Sequence, residues 1–396
     1  MMTLSSTVGQ EIMNLIQEHG LITFAQFMRA CLYSPKGGFY SARSSSISAH
    51  FGTSPTMHPV FGALIARQLE QMWQIMGEPA VFHLIEVGSG DGSLAWSIMD
   101  ACQRMTPRFA EALRYVAADY QPVPLQSPVH TLDLSNGPGD WAPSVRQDTT
   151  PRVQQVKAEG LRSFRNVAGC ILCNELIDNF PVHRFCIRDG RVQEVYVTLA
   201  GGELTEMVDE PSTPGIEKRL TSLGLSLPEG HRGEVNLAME DWIDQVSESL
   251  DRGFVLTIDY GQSGADLYSP RNAQGTLVCH RRHAVGDDPY RNIGEQDITC
   301  QVDFTSLRML GERYGLATVG YTTQTRFLAN LGFHTFLDAQ QPHGRSTART
   351  ELSRIAMMTL VDPSEYGDFK VLAQARGNGL DSELLGFAKD AATPTR

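Results

Sequence analysis

The stretch Phe82-His83-Leu84-Ile85-Glu86-Val87-Gly88-Ser89-Gly90-Asp91-Gly92-Ser93-Leu94 constrains this chain more than any other. An apolar run ends on an acid. Glycines follow at 88, 90 and 92, and Leu94, Ile98, Cys102 and Met105 then recur at helical spacing. This reads as strand, tight turn and helix, the layout with which α/β proteins hold nucleotide-type cofactors. Glycine lets the backbone approach a ligand where a Cβ would collide. A dinucleotide fingerprint needs its third glycine where Ser93 stands, which disfavours a nicotinamide oxidoreductase. No Lys-Ser/Thr follows the glycines, which excludes a P-loop.

From 80 to about 187, strand and helix patterns alternate. Strands are expected at 80–87, 114–119, 168–173, and, for a short third strand, at 129–132 or near 153–156. Turn signals at Arg188-Asp189-Gly190-Arg191 and Ala200-Gly201-Gly202-Glu203 predict a β-rich insert over about 188–250. A fifth strand is expected at 253–261, then a polar, arginine-rich loop over 275–299 and a helix at 304–314. A last strand near 317–321 completes the sheet in this reading, with the remainder helical and a frayed tail after about 377. Such alternation calls for a mostly parallel sheet with helices on both faces and ligands at the carboxyl ends of the strands. Ahead of it, Val8, Ile12, Ile16 and Phe24, Phe27, Met28 space like amphipathic helices, and a loop with aromatics and glycines interrupts them between 31 and 59. The expected organisation is a helical cap over 1–78 with a substrate-facing loop, a core over 79–333, and a C-terminal helical segment over 334–396.

The strand ends carry the chemistry. Asp119 closes the second strand, 27 residues after Gly92, where a carboxylate can accept two hydrogen bonds from ribose hydroxyls. Tyr120 is then placed to lie against an adenine. Asn174, Glu175 and Asp178 follow the fourth strand; they also suit a helix N-cap with acids in its first turn, and both roles can hold at once. Asp259 stands at the end of the fifth strand.

Composition excludes some classes. A formal charge of −12 over 396 residues argues against generic nucleic-acid binding. No run of about 18 apolar residues exists, so no membrane span is expected. Seven scattered cysteines include only one metal-like pair, Cys170-x-x-Cys173, inside an apolar run. They read as buried core thiols with no metal, which points to a reducing compartment. The first Lys or Arg is Arg29, so no Arg-rich transit peptide is read, and the cytoplasm is the expected location. A homodimer is compatible with all of this.

Glu-x-Gly-x-Gly-x-Gly resembles the first motif of class I S-adenosylmethionine (AdoMet) methyltransferases. Several stretches together resemble one family among them, the MidA-like methyltransferases, which include a mitochondrial complex I assembly factor that methylates an arginine. The matching text is Tyr33-x-Pro35-x-Gly37-Gly38-Phe39-Tyr40, Phe51-Gly52-Thr53-Ser54-Pro55 with Phe61-Gly62, the glycine motif, and Asn174-Glu175-x-x-Asp178-x-x-Pro181-Val182. It continues with Asp259-Tyr260-Gly261, Gly275-Thr276-Leu277, Asp297 with Thr299 and Val302-Asp303-Phe304, and Gln324-x-x-Phe327-Leu328. The chain departs from the family at Ala49-His50-Phe51, where Gly-Asp-Phe is usual, at Thr56, where an acid is usual, and at Asp119, where Glu is more frequent.

The resemblance implies a class I, Rossmann-like, seven-stranded sheet with its last strand antiparallel, and AdoMet as donor. It implies cofactor contacts from Glu86, Gly88, Gly90, Gly92, Asp119, Tyr120, Asn174 and Thr53. It also implies methyl transfer to a nitrogen of a protein arginine. Carboxylates binding a guanidinium bidentately suit that acceptor, with Glu175 and Asp178 first and Asp259 and Asp297 in reserve. A hydroxyl or carbon acceptor instead needs a base, for which His58 or His280 is the better candidate. A methyltransferase acting on O, N or C of a small molecule, and an AdoMet-binding assembly factor with little catalysis, are the alternatives.

Overall fold

The computed structural model describes residues 6–41, 52–121, 153–339 and 348–389. The strand considered at 129–132 and the departure at Ala49-His50-Phe51 lie outside them. The alternative third strand is present at Val153–Lys157. The chain divides into two compact units. Residues 52–174, 245–259 and 311–396 form a sheet unit; residues 1–51, 175–244 and 260–310 form a meander unit.

Among the described residues the sheet unit holds seven strands, numbered in chain order: β1 (Phe82–Val87), β2 (Leu113–Asp119), β3 (Val153–Lys157), β4 (Val167–Asn174), β5 (Leu250–Asp259), β6 (Ala317–Thr323) and β7 (Lys370–Arg376). They lie in the order β3-β2-β1-β4-β5-β7-β6. The first five pair in parallel, and β7 runs antiparallel to both β5 and β6. The sheet is therefore mixed. From β1 the chain moves outward through β2 to β3, then returns to lay β4 on the other side of β1. That reversal places a crevice-forming switch point at the carboxyl ends of β1 and β4. Central β4 is buried along almost its whole length, as its unbroken apolar run requires of a strand covered on both faces. The helix Val60–Ile75 is buried nearly all round and packs with Ser93–Met105 over Leu84, Tyr115, Leu172 and Leu256. Gly62 permits that approach, since a Cβ there would stand 2.5 Å from the Ser97 Cβ.

The order β5-β7-β6 corrects the expectation that everything after the 317–321 strand is helical. Lys-Val-Leu-Ala-Gln-Ala-Arg reads as a helix by propensity. Its backbone is instead taken into a ladder that runs from Gly253↔Arg376 to Asp259↔Lys370 on one side and along β6 on the other.

In the meander unit, the strands His183–Arg188, Arg191–Ala200, Glu203–Asp209 and Arg232–Val235 form an antiparallel sheet, which the two-residue strand Ile22–Thr23 joins. The expected β-rich insert is thus present, but its strands start at His183, before 188, end at Val235, and take in Ile22–Thr23 from the N-terminal region. The expected 1–78 cap is divided. Val8, Ile12, Ile16, Phe24, Phe27 and Met28 are buried with Val182, Val197, Ile293 and Ile298, whereas the helix from Val60 buries its faces in the sheet unit. Nor is 275–299 a loop: Val278–Arg281, Ala284–Gly286 and Asp297–Thr299 form a small antiparallel sheet. Its hairpin turns at Arg282 and His283, both at positive φ, where Asn-Gly would have been the readable signal.

Close backbone approach sets one stability prediction. Gly169 in β4 has φ +149°, and a Cβ there would stand 2.0 Å from the His83 carbonyl oxygen of β1. Gly169→Ala should cost about 3 kcal/mol or more, from a strained backbone plus an overlap with main chain that cannot rotate away. Thermal unfolding checks it; a midpoint unchanged within about 1 °C would contradict the tight β1–β4 spacing.

Candidate functional site

At the end of β1 the three motif glycines all adopt positive φ: 76° at Gly88, 56° at Gly90 and 80° at Gly92. Gly92 is also the left-handed N-cap of the helix Ser93–Met105. The turn is pinned to β2. Gly88 and Ser89 donate their N–H groups to the Ala118 carbonyl at 2.9 and 3.3 Å. Gly90 donates its N–H to Asp119 Oδ2 at 2.9 Å, and Gln121 donates its N–H to Oδ1 at 3.0 Å. Each carboxylate oxygen keeps a second lone pair, so Asp119 can accept the two hydroxyls of a vicinal diol beside the turn. Half-buried Tyr120 follows directly. Glu86 is buried one residue before the strand's end and accepts a 2.8 Å hydrogen bond from the Tyr115 hydroxyl. Burial, reinforced by the charges of Asp119 and Asp91, pushes its pKa up to about 8 against the pull of that hydrogen bond. Backbone space, a diol acceptor and a buried acid thus surround one turn. These residues fit a ligand that carries a ribose and a cationic tail.

Other expected residues of the sheet unit are placed as follows. Asn174 is the buried last residue of β4. Thr53 precedes the short helix Ser54–Met57 and donates its N–H to Thr56 Oγ1 at 3.0 Å, while Thr56 Oγ1 donates to the Thr53 carbonyl at 2.9 Å. Thr56 thereby performs the reciprocal cap that an acid at that position would supply. His58 is 3% exposed. Its Nδ1 accepts the Val60 N–H at 3.1 Å, which leaves Nε2 as the donor to Ser353 Oγ at 2.9 Å. Both ring nitrogens are engaged in holding two helices, a structural task rather than the expected base. Asp259 ends β5 fully buried, beside the Cys173 thiol.

The meander unit gathers the remaining candidates. Glu175 has φ +51°, a backbone outlier of the kind that clusters at working sites. Asp178 lies buried on the 3₁₀ turn Ile177–Asn179, and its carbonyl accepts the Cys300 N–H at 2.8 Å. Tyr33 donates its hydroxyl to Asn179 Oδ1 at 2.8 Å and to the Asn179 carbonyl at 3.1 Å. Asn179 Nδ2 donates to the Tyr40 hydroxyl at 3.2 Å, and Tyr40 donates to Asp297 Oδ2 at 2.8 Å. The loop Pro35–Phe39 doubles back, with the Tyr40 N–H on the Leu32 carbonyl, so that the two tyrosine rings stack at 5.5 Å. Burial and the charges of Asp297, Tyr33 and Asp178 hold the Tyr40 phenol well above its usual range, so it stays a donor. His280 pairs across the strands with Asp297, and burial lowers its pKa.

The structure therefore bonds Asp297 to the Tyr40 phenol and sets Asp178 on the turn whose next residue, Asn179, donates to the same phenol. Sequence reasoning singled out both acids but gave no role to Tyr33, Tyr40 or Asn179. The only signal for the tyrosines was their place at the two ends of Tyr-x-Pro-x-Gly-Gly-Phe-Tyr. Among the described residues, no helix is long and apolar enough to cross a membrane.

Comparison with known proteins bears on the chemistry. The sequence profile of a family of S-adenosyl-L-methionine-dependent methyltransferases matches residues 64–322. The mitochondrial protein arginine methyltransferase NDUFAF7 homolog of Drosophila melanogaster is 26% identical over 388 residues, covering 94% of this chain and 85% of that protein. The mitochondrial protein arginine methyltransferase NDUFAF7 of Danio rerio is 24% identical, covering 94% of this chain and 89% of that one. A Burkholderia thailandensis crystal structure bound to S-adenosyl-homocysteine superposes with a TM-score of 0.79 at 26% identity, over 96% of this chain and 94% of that chain.

Proposed function

We propose that this chain, which belongs to the MidA-like family of AdoMet-dependent methyltransferases, methylates a nitrogen of a protein arginine. The observation that carries this reading is a buried, acid-lined chain: Tyr40 donates to Asp297 and accepts from Asn179, the residue next to buried Asp178. A planar cation suits these acids, because a guanidinium stays protonated and presents paired N–H donors to carboxylates. The relatives' names support the same acceptor.

AdoMet, when bound, supplies the activated methyl group; alignment and electrostatics fall to the protein. In this reading Gly88, Gly90 and Gly92 give the backbone room, Asp119 takes the ribose hydroxyls, and Tyr120 lies against the adenine. Glu86 receives the ammonium. Asn174 and Thr53 complete the cofactor contacts. Glu175 and Asp178 bind the acceptor guanidinium, hold its charge on two nitrogens and leave the third free to attack. Asp259 and Asp297 stay in reserve. All seven cysteines are free and buried, Cys170 and Cys173 within β4, which supports action in a reducing compartment, the cytoplasm in this reading.

The test uses the purified chain, methyl-labelled AdoMet and arginine-rich peptides, followed by acid hydrolysis and amino-acid analysis. Label is expected in methylarginine, and Glu175→Gln should lower its incorporation at least about tenfold. Label recovered only in small molecules would replace the acceptor class and leave the donor in place.

A further inference from the structure

On the reading that Glu86 meets the amino-acid end of AdoMet, we propose that Tyr115 is a positioning residue of that site. Its hydroxyl fixes the Glu86 carboxyl, which releases a proton to solvent as the ligand's ammonium arrives.

The geometry is specific. Tyr115 is 1% exposed and Glu86 3%. Tyr115 stands in register with Leu84, so its hydroxyl reaches two residues along β1 to bond Glu86 Oε2 at 2.8 Å. The titratable groups that face Glu86 are Tyr115 and Asp119 from β2 and Asp91 from the glycine turn. From β4, Leu172 is in register, with the neutral thiols of Cys170 and Cys173 on either side of it. Among the described residues no Lys, Arg or His pairs with Glu86. A buried acid facing two like charges and no cation holds its proton near neutrality; its pKa stands at about 8. An ammonium supplies the missing positive charge. The O–H bond of the Glu86 carboxyl then breaks, the proton leaves to buffer, and the carboxylate accepts the ammonium N–H. Tyr115 favours the charged form throughout, because its hydroxyl donates to the same oxygen.

The sign follows from linkage. Binding needs ionised Glu86, and in the free protein that form is scarce below pH 8. Affinity should therefore rise with pH, by up to about tenfold per unit well below 8, and fall again above it as the ligand's own α-ammonium, whose ordinary pKa is about 8, loses its proton.

Calorimetric titration of the full chain tests this, in two buffers of different protonation enthalpy between pH 6 and 9. The probes are AdoMet, S-adenosyl-homocysteine and 5′-methylthioadenosine, the last of which lacks the amino-acid tail. Near pH 7, close to one proton should be released with the first two and none with the third. Glu86→Gln should abolish the release and flatten the rise of affinity between pH 6 and 8. Tyr115→Phe should weaken binding severalfold at pH 7 and move the profile to higher pH, which a purely structural role would not do. Tight binding of S-adenosyl-homocysteine by the wild type without proton release at pH 7 overturns the proposal, whatever the variants do. Retention of the rise between pH 6 and 8 in Glu86→Gln overturns it as well. Failure of the wild type to bind AdoMet or S-adenosyl-homocysteine at any pH overturns the cofactor-site reading on which it rests.

Discussion

Asp178→Asn should leave AdoMet affinity within about twofold of wild type and lower methyl transfer to arginine by roughly a hundredfold or more. The substitution keeps shape. Asp178 sits on a turn held from several sides: its own carbonyl takes the Cys300 N–H, and Tyr33 clamps the next residue through both its side chain and its carbonyl. An amide fits there, so the turn survives and only the charge is lost. Removing one partner from a buried ion pair costs about 3–5 kcal/mol. Each 1.4 kcal/mol or so is a factor of ten in rate, so a hundredfold loss is the lower bound if the pair persists into the transition state. Side-by-side AdoMet calorimetry and peptide turnover decide it. Turnover within threefold of wild type would remove Asp178 from the acceptor site and shift attention to Glu175 and Asp297.

Asp119→Ala should raise the dissociation constant for S-adenosyl-homocysteine by about two orders of magnitude. The carboxylate has two tasks. It takes the N–H groups of Gly90 and Gln121 at 2.9 and 3.0 Å, which ties the glycine turn to β2. In the proposed site its remaining lone pairs accept the ribose diol. Hydrogen bonds to a charged group are worth about 1.5–3 kcal/mol each, so losing two accounts for a hundredfold change even before the turn loosens. Asp119→Asn should lie between the two, since one amide oxygen can still accept. Unchanged affinity in Asp119→Ala would take the residue out of the cofactor site.

These two residues differ in how they became visible. Asp119 was legible because a strand end and a glycine turn are local patterns: an apolar run, an acid and a spacing suffice. The contribution of Asp178 was only half legible. Its acid character and its place after β4 could be read, but the groups that position it come from Tyr33 and from Cys300, more than a hundred residues away in each direction. No short-range periodicity encodes a hydrogen bond between side chains so far apart. His58 shows the converse. A lone histidine in a polar loop looks like a base, and only its neighbours show that both ring nitrogens are spent on Val60 and Ser353.

The sequence by itself determined the β1–glycine–helix nucleus, the five parallel strands apart from the exact place of the third, the donor class and the identities of the acids. The nucleus and the strands follow from side-chain alternation and from backbone angles that glycine alone adopts readily, whereas the donor class came from the resemblance of the motif set to a known family. The tertiary structure decided the rest. It placed Lys370–Arg376 between β5 and β6, because two open strand edges can outweigh the helix propensity of Leu, Ala, Gln and Arg. It divided the N-terminal helices between two cores, because amphipathic spacing says that a face is buried but not against what. It joined Tyr33, Tyr40, Asn179 and Asp297 into one hydrogen-bonded chain, because buried polar groups must be satisfied by whichever partners the fold brings within reach.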